Sequence, residues 1–236
     1  RILTTDRQSP HYRHLEHPKT KAPDDFWGQV SRTVNGEPVS DNDINLIVTA
    51  IKEGLSLVEE DVVLDIGCGN GALSRFFYDS VTEFHGVDFS PYMIEVAKNN
   101  FEVLPSFSFQ EADAAGYVGS ELKPERFTKV LCYGVFSYLD QADAETVLRE
   151  LSERFINVSW FYIGNLPDRD LASQFYNDDI DYSELLDDPL AAIGIWRSKQ
   201  QLVELVEKFG WRAEFFSMPD GFYSSHYRYD VRLTRT

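Results

Sequence analysis

The stretch Val62-Val63-Leu64-Asp65-Ile66-Gly67-Cys68-Gly69-Asn70-Gly71 constrains the fold of this chain more than any other. Apolar, mostly β-branched residues run from Val62 to Ile66 and turn residues stop them, which predicts a short buried strand. Gly67, Gly69 and Gly71 free the backbone to take unusual dihedrals and to come within van der Waals reach of a ligand. Ala72 to Tyr78 returns to helical spacing. Strand, glycine turn and helix together predict a nucleotide-type site, with the ligand at the helix N-terminus.

Composition narrows the class. A chain of 236 residues suits one domain with a sizeable core, and 43% hydrophobic residues exclude general disorder. No apolar run approaches the ~20 residues of a membrane helix, and none reads as a secretory signal. Cys68 and Cys132 make no disulfide framework, so a cytoplasmic location is expected. The formal net charge of -17 argues against DNA or RNA as partner. It leaves room for a small anionic substrate held by a local Arg or Lys.

The spacing of the glycines separates two cofactors. A dinucleotide site needs G-x-G-x-x-G, but Ala72 and Leu73 stand where the later glycine would fall. Asp65-Ile66-Gly67-Cys68-Gly69-Asn70-Gly71 resembles instead the first motif of class I S-adenosylmethionine-dependent methyltransferases, (D/E)-x-G-x-G-x-G. Glu83 to Asp88 predicts a second strand, and Asp88 lies where a carboxylate meets ribose hydroxyls. Ser90 as N-cap and Pro91 at N1 then start a helix with Met93, Ile94 and Ala97 on its apolar face. The run Gly86 to Met93 is similar to the family's second motif, G-x-D-x-S-x-x-M.

That resemblance implies S-adenosylmethionine as cofactor. It places Asp65, Gly67, Cys68, Gly69 and Met93 at the cofactor and Asp88 on the ribose, with Phe89, next in the chain, against the adenine. After a third strand, Phe107 to Gln110, Asp113 with Ala114 would meet the adenine amino group, a plain loop acid being the other reading of Asp113. After a fourth, Phe127 to Cys132, Tyr133 and Gly134 would pass along the methionine part. Phe136 and Tyr138 would face substrate or core.

Flanking segments complete the expectation. Residues 1–40 lack a clean period and read as an N-terminal arm that packs on the domain or covers the pocket, with Asp24 or Asp25 as a helix cap and Arg32 as an anion contact or, equally, a solvated arginine. Ser40 caps a helix through Leu55, Asp140 caps another, and Ser198 with Gln201 forms a capping box. Phe155 to Ile163 predicts a fifth strand, followed by Asn165 and Asp168 near the pocket mouth, as turn residue and helix cap or as ligand contacts. Residues 176–190 are acidic and aromatic and read as a lid insertion. A solvated charge run is favoured there over a metal site among Asp178, Asp179, Asp181, Asp187 and Asp188, so no metal is expected. Trp211 to Ser217 and Tyr227 to Thr234 close the sheet; the resemblance implies that the loop joining them, Met218 to His226, borders the active site, which makes Tyr223, His226 and Arg228 pocket candidates.

The fold expected is a Rossmann-like, doubly wound α/β sheet of seven strands with the last antiparallel. The function expected is methyl transfer to an O or N atom of a small molecule or saccharide precursor, with no nucleic-acid or membrane partner, by a monomer or homodimer. His226 and Tyr138 are the catalytic candidates, with His11 or His14 as second choices for the base. Two faint likenesses, Ser225 to Val231 and Arg32 to Gly36, point to methyltransferases of bacterial surface-polysaccharide clusters. A nicotinamide oxidoreductase and a non-catalytic S-adenosylmethionine-binding protein are the alternatives.

Overall fold

The computed structural model describes residues 12–236 except Asp178; His11, a candidate base, and Asp178, a candidate metal ligand, lie outside the described residues. Seven strands form the main sheet: β1 (Val62–Ile66), β2 (Glu83–Asp88), β3 (Phe107–Glu111), β4 (Lys129–Tyr133), β5 (Trp160–Pro167), β6 (Trp211–Phe216) and β7 (Arg228–Arg235). Their order is 3-2-1-4-5-7-6. β7 runs antiparallel to both its neighbours, and the pairs among β1 to β5 are parallel. This is the doubly wound sheet with a reversed last strand that the sequence predicts.

Five helices of a turn or more beyond capping length flank the sheet: α1 (Asp41–Leu55), α2 (Pro91–Phe101), α3 (Ala114–Ser120), α4 (Gln141–Arg154) and α5 (Lys199–Glu207). Side-chain alternation along the strands builds a core on each face. Leu64, Ile66, Val130, Cys132, Phe161 and Ile163 pack with Val147, Leu148 and Leu151 of α4 and Leu202 and Val206 of α5. Val63, Leu131, Tyr133 and Tyr162 point the other way, against Ile44, Ile47 and Ile51 of α1. The expected caps form: the side chains of Ser40, Ser90 and Asp140 accept from the backbone N–H groups of Asp43, Met93 and Asp143, and Ser198 with Gln201 makes the capping box.

Two elements depart from expectation. No α-helix follows the glycine turn; Ser74–Phe77 forms only a 3-10 turn. The connection to β2 runs from Gly67 to Thr82. It is held by Leu73 and Phe77 sunk in the core rather than by a helical ladder. The fifth strand also starts later than Phe155. Arg154 ends α4, Val158 N–H donates to the Phe155 carbonyl in a turn, and both apolar side chains plug the core from that turn. Apolar character alone mimics a strand there.

The described part of the arm folds onto the domain. It carries a one-turn helix, Phe26–Gln29, whose cap is Asp25, accepting from Gly28 N–H. Two-residue strands, Thr33–Val34 and Glu37–Pro38, follow, turned at Asn35 and Gly36 with φ of 52° and 83°. Residues 176–190 contain a 3-10 turn, Ser183–Asp187, and Leu186, Ile193, Trp196 and Ala172 form a small cluster of their own with Tyr176, Tyr182 and Tyr227 beside it.

Candidate functional site

Strand order reverses between β1 and β4, so a crevice opens outside their carboxyl ends. A cavity of about 760 Å³ lies there. Its floor is the glycine turn. The N–H groups of Gly67 and Cys68 both donate to the Val87 carbonyl, at 2.8 and 3.0 Å, which pins the turn to β2. Gly67 has φ +76°, and a Cβ there would stand 2.4 Å from a Val135 methyl. Gly69, at φ +57°, meets Val30 of the arm at 3.0 Å in the same test.

Asp88 ends β2. Its Oδ2 accepts from Gly69 N–H at 3.0 Å and its Oδ1 from Ser90 N–H at 2.9 Å. Burial pushes this carboxyl up, and the two N–H groups draw it back. Each oxygen keeps a lone pair, so a vicinal diol can still be met. Among the described residues the Asp65 side chain accepts only from the Ser74 hydroxyl, at 3.3 Å. Burial raises its carboxyl from 3.8 to about 7, with the nearby Asp88 adding to the rise and Ser74 and Arg32 opposing it.

The cavity wall brings together most of the residues picked from sequence: Asp65, Gly67, Cys68, Gly69, Asp88, Phe89, Met93, Asp113, Ala114, Tyr133, Gly134, Tyr138, Arg32, Asn165, Tyr223 and Arg228. Asp113 also caps α3, its side chain accepting from Gly116 N–H. Asn165 sits in β5 at a break in the register with β7, at φ +63°. Its N–H donates to Asp230, its carbonyl accepts from Arg228 and its Oδ1 from Ser224. Three partners thus hold a backbone conformation that non-glycine residues seldom adopt.

Three candidates are elsewhere. Phe136 is fully buried in the core under α4 and does not line the cavity. His226, the first choice of base, is exposed, rests edge-on against Tyr227 and is absent from the cavity wall. The loop Met218 to Tyr227 turns Tyr223 inward, and His226 three residues on points out. Asp168 likewise caps a 3-10 turn, accepting from Asp170 N–H, rather than facing the cavity. Tyr138 stays in the wall, its hydroxyl donating to the Ala192 carbonyl and its ring 4.8 Å from that of His14.

Sequence reading missed the tie between arm and turn. Asn70 is buried; its Nδ2 donates to the Phe26 carbonyl at 2.8 Å and to Gln29 Oε1 at 2.9 Å, and its Oδ1 accepts from Ala72 N–H. Trp27, Gln29, His14 and His17 of the arm line the cavity with it. An amide between two glycines in a turn is the one local sign of this. Among the described residues no group of three or more His, Cys, Asp or Glu side chains is placed to hold a metal ion.

The arrangement fits an adenosyl cofactor. The Gly67 backbone leaves no room for a side chain, Asp88 offers oriented acceptor oxygens, Phe89 and Met93 offer apolar surface, and Asp65 offers a negative charge for an amino group.

Comparison with known proteins agrees. Residues 63–155 match the family model described as "Methyltransferase domain". A 70-residue stretch is 39% identical to ribosomal RNA small subunit methyltransferase A of Prochlorococcus marinus (strain MIT 9515), covering 29% of this chain and 25% of that protein. The matched stretch thus spans a quarter of that relative's length. Among solved structures, the methyltransferase domain of bacterial CtHen1 superposes with a TM-score of 0.59 at 16% identity, over 84% of this chain and 100% of that one. Magnesium protoporphyrin IX methyltransferase from Synechocystis PCC 6803 with bound S-adenosylmethionine gives 0.58 at 13% identity, over 100% of both chains. Geranyl diphosphate C-methyltransferase from Streptomyces coelicolor A3(2) gives 0.60 at 10% identity, over 81% of this chain and 77% of that one. At these identities the likeness to solved structures is one of fold.

Proposed function

We propose that this chain, which belongs to the class I S-adenosylmethionine-dependent methyltransferases, methylates an O or N atom of a small molecule or saccharide precursor in the cytoplasm, as a monomer or homodimer. The observation that carries the cofactor half is Asp88, its carboxylate oriented by Gly69 and Ser90 N–H groups toward the cavity that the glycine turn floors. The acceptor half is supported by the way the arm and residues 189–193 wall that cavity, and by a net charge of -17 that would repel a nucleic-acid backbone.

When bound, S-adenosylmethionine supplies a methyl group already activated on a sulfonium sulfur and transferred by in-line displacement. The chain's part is mainly alignment. Asp88 fixes the ribose, Asp65 holds the amino group, and Tyr133 and Gly134 set the wall along the methionine part. Tyr138, Tyr223 and Trp27 surround the crevice with aromatic surface and exclude water. A hydroxyl acceptor also gives up a proton, and His14 is the imidazole that the fold brings against Tyr138 in the wall.

Calorimetric titration with S-adenosylmethionine tests the cofactor half. Wild type binds, and Asp88→Ala weakens binding by roughly tenfold or more, the worth of a charge-assisted hydrogen-bonded pair. Unchanged affinity removes the reading's main support. Transfer of labelled methyl to a panel of small acceptors, sugar nucleotides and ribosomal RNA tests the other half. The RNA arm belongs in it because the 39%-identical relative is an rRNA methyltransferase by name. Label entering RNA alone overturns the small-acceptor reading.

A further inference from the structure

The cavity is divided by charge, and the sheet order is what divides it. Asp65 ends β1, Asp88 ends β2 and Asp113 follows β3, on one side of β4. On the other side stand Asn165 of β5 and Arg228, the first residue of β7. Because β7 runs backwards, its first residue arrives at the edge where the parallel strands end, opposite Pro167. The acidic half is the half read above as the cofactor's. The other half gathers cations at the wall, and the acid buried behind it, Asp230, is taken up by the Tyr162 hydroxyl and the Asn165 N–H.

Neither cation forms a close ion pair among the described residues, although Arg228 draws the buried Asp230 carboxyl down and Arg32 the Asp65 carboxyl. Among the described residues Arg228 makes no ion pair; one NH donates to the Asn165 carbonyl, and its Nε is buried without a partner. Arg32 reaches over from the arm, its guanidinium 5.5 Å from the Tyr133 ring centre and 5.6 Å from that of Trp27, with no hydrogen-bonding side chain against it among the described residues. Tyr133 is 5% exposed, and its hydroxyl is buried with no partner. Such a hydroxyl costs free energy unless something meets it. Burial raises the Tyr133 and Tyr223 hydroxyls, the charge of Asp230 adds to the rise at Tyr133, and the charges of Arg32 and Arg228 draw both down. Asn165 adds a side-chain amide. With its Oδ1 taken by Ser224, its Nδ2 is left beside Gly134, 3.9 Å from where a Cβ would stand.

We propose that Arg228, Tyr133, Tyr223 and Asn165, closed over by Arg32, form a seat for an oxyanion on the methyl acceptor, a carboxylate or a phosphate. The proposal rests on the methyltransferase reading and deepens it by naming the acceptor's class. Every group in the seat donates, the positions are set by β5 and β7 rather than by surface side chains, and a planar guanidinium suits either oxyanion. A chain with net charge -17 repels anions elsewhere, so saturable anion binding reports this seat.

The test is titration of the protein loaded with S-adenosylhomocysteine, followed by intrinsic fluorescence, with inorganic phosphate, glucuronate and glucose as probes. Phosphate and glucuronate are expected to saturate and to compete with each other, and glucose to leave the signal unchanged. Which of the two binds tighter tells carboxylate from phosphate. Arg228→Gln is expected to weaken both anions by roughly tenfold or more while S-adenosylhomocysteine still binds as in wild type. Tyr133→Phe, which removes one oxygen and keeps the packing, is the companion variant and is expected to weaken them in the same direction. Glucose binding as well as glucuronate, no anion binding by the loaded wild type, or unchanged anion affinity in both variants overturns the proposal. So does a result in which Arg32→Gln and Arg228→Gln weaken S-adenosylhomocysteine alone, since the arginines would then serve the cofactor's own carboxylate. Failure of wild type to bind S-adenosylhomocysteine is a separate outcome that removes the reading beneath it.

Discussion

Asp65 and Asp88 end neighbouring parallel strands, yet the backbone treats them differently. Asp88 receives two backbone N–H groups and Asp65 a single hydroxyl. Burial therefore dominates at Asp65 and lifts its carboxyl from 3.8 to about 7. The sign follows from linkage. Between those two values the folded state holds a proton that the unfolded state has lost, so this group's contribution to stability is full below 3.8 and is lost as pH rises through about 7. Asp65→Asn, which cannot ionise, is expected to melt higher than wild type at alkaline pH and to lose that advantage in acid. An amino group on a ligand prefers the ionised carboxylate, so affinity for S-adenosylhomocysteine should rise as pH passes through about 7, with the rise absent in Asp65→Asn. Calorimetry at several pH values and thermal melts of the unliganded protein check both. A flat affinity profile, or a lower melting point for the variant in alkali, contradicts the assignment. Asp65 and Asp88 were both legible from spacing alone. The difference between them was not, because it depends on which N–H groups the folded turn aims at each oxygen.

The glycine turn is the element on which the cavity rests. At Gly67 a side chain meets two obstacles, a φ of +76° and Val135 methyls at 2.4 and 2.7 Å. Gly67→Ala should cost about 1–2 kcal/mol for the left-handed backbone and roughly 1–3 kcal/mol for overpacking. Denaturant unfolding measures the sum. Adding Val135→Ala should restore only the second part, and a double variant as stable as wild type would show that the backbone contributes nothing. Caps were as legible as the turn, since Ser40, Ser90, Asp140 and Ser198 act on N–H groups three residues away. The helix expected over Ala72 to Tyr78 was not to be had from local spacing. There the burial of Leu73 and Phe77 outweighs helical propensity.

At the scale of the whole molecule, the cavity is a joint product of the sheet edge and a segment far from it in sequence. Asn70 fastens the arm by two donated hydrogen bonds to residues 41 and 44 positions earlier. Gln29, buried, passes the tie on to the carbonyls of Ala22 and Pro23. Asn70→Ala leaves the Gln29 oxygen and the Phe26 carbonyl unpaired, at a cost of about 1–3 kcal/mol. The arm should then open more often. Limited proteolysis between Lys21 and Arg32 is expected to speed up in the variant, and bound S-adenosylhomocysteine to slow it in wild type. Equal cleavage rates in the two proteins would mean that the arm packs by its aromatic residues alone.

The sequence by itself determined the elements whose codes are short: the β-branched strands, the positive-φ glycines, the caps, and the acids set at strand ends. Each depends on dihedral sterics or on hydrogen bonds spanning a few residues, so a window of the chain carries the whole cause. Only the tertiary structure decided that His226 faces outward and His14 inward, that Phe136 belongs to the core, and that Arg32, Asn165 and Arg228 share one end of a cavity. Arg228 donates to a carbonyl 63 residues away across a reversed strand. Such a meeting is set by strand order and by the packing of both faces at once, and no stretch of sequence contains it.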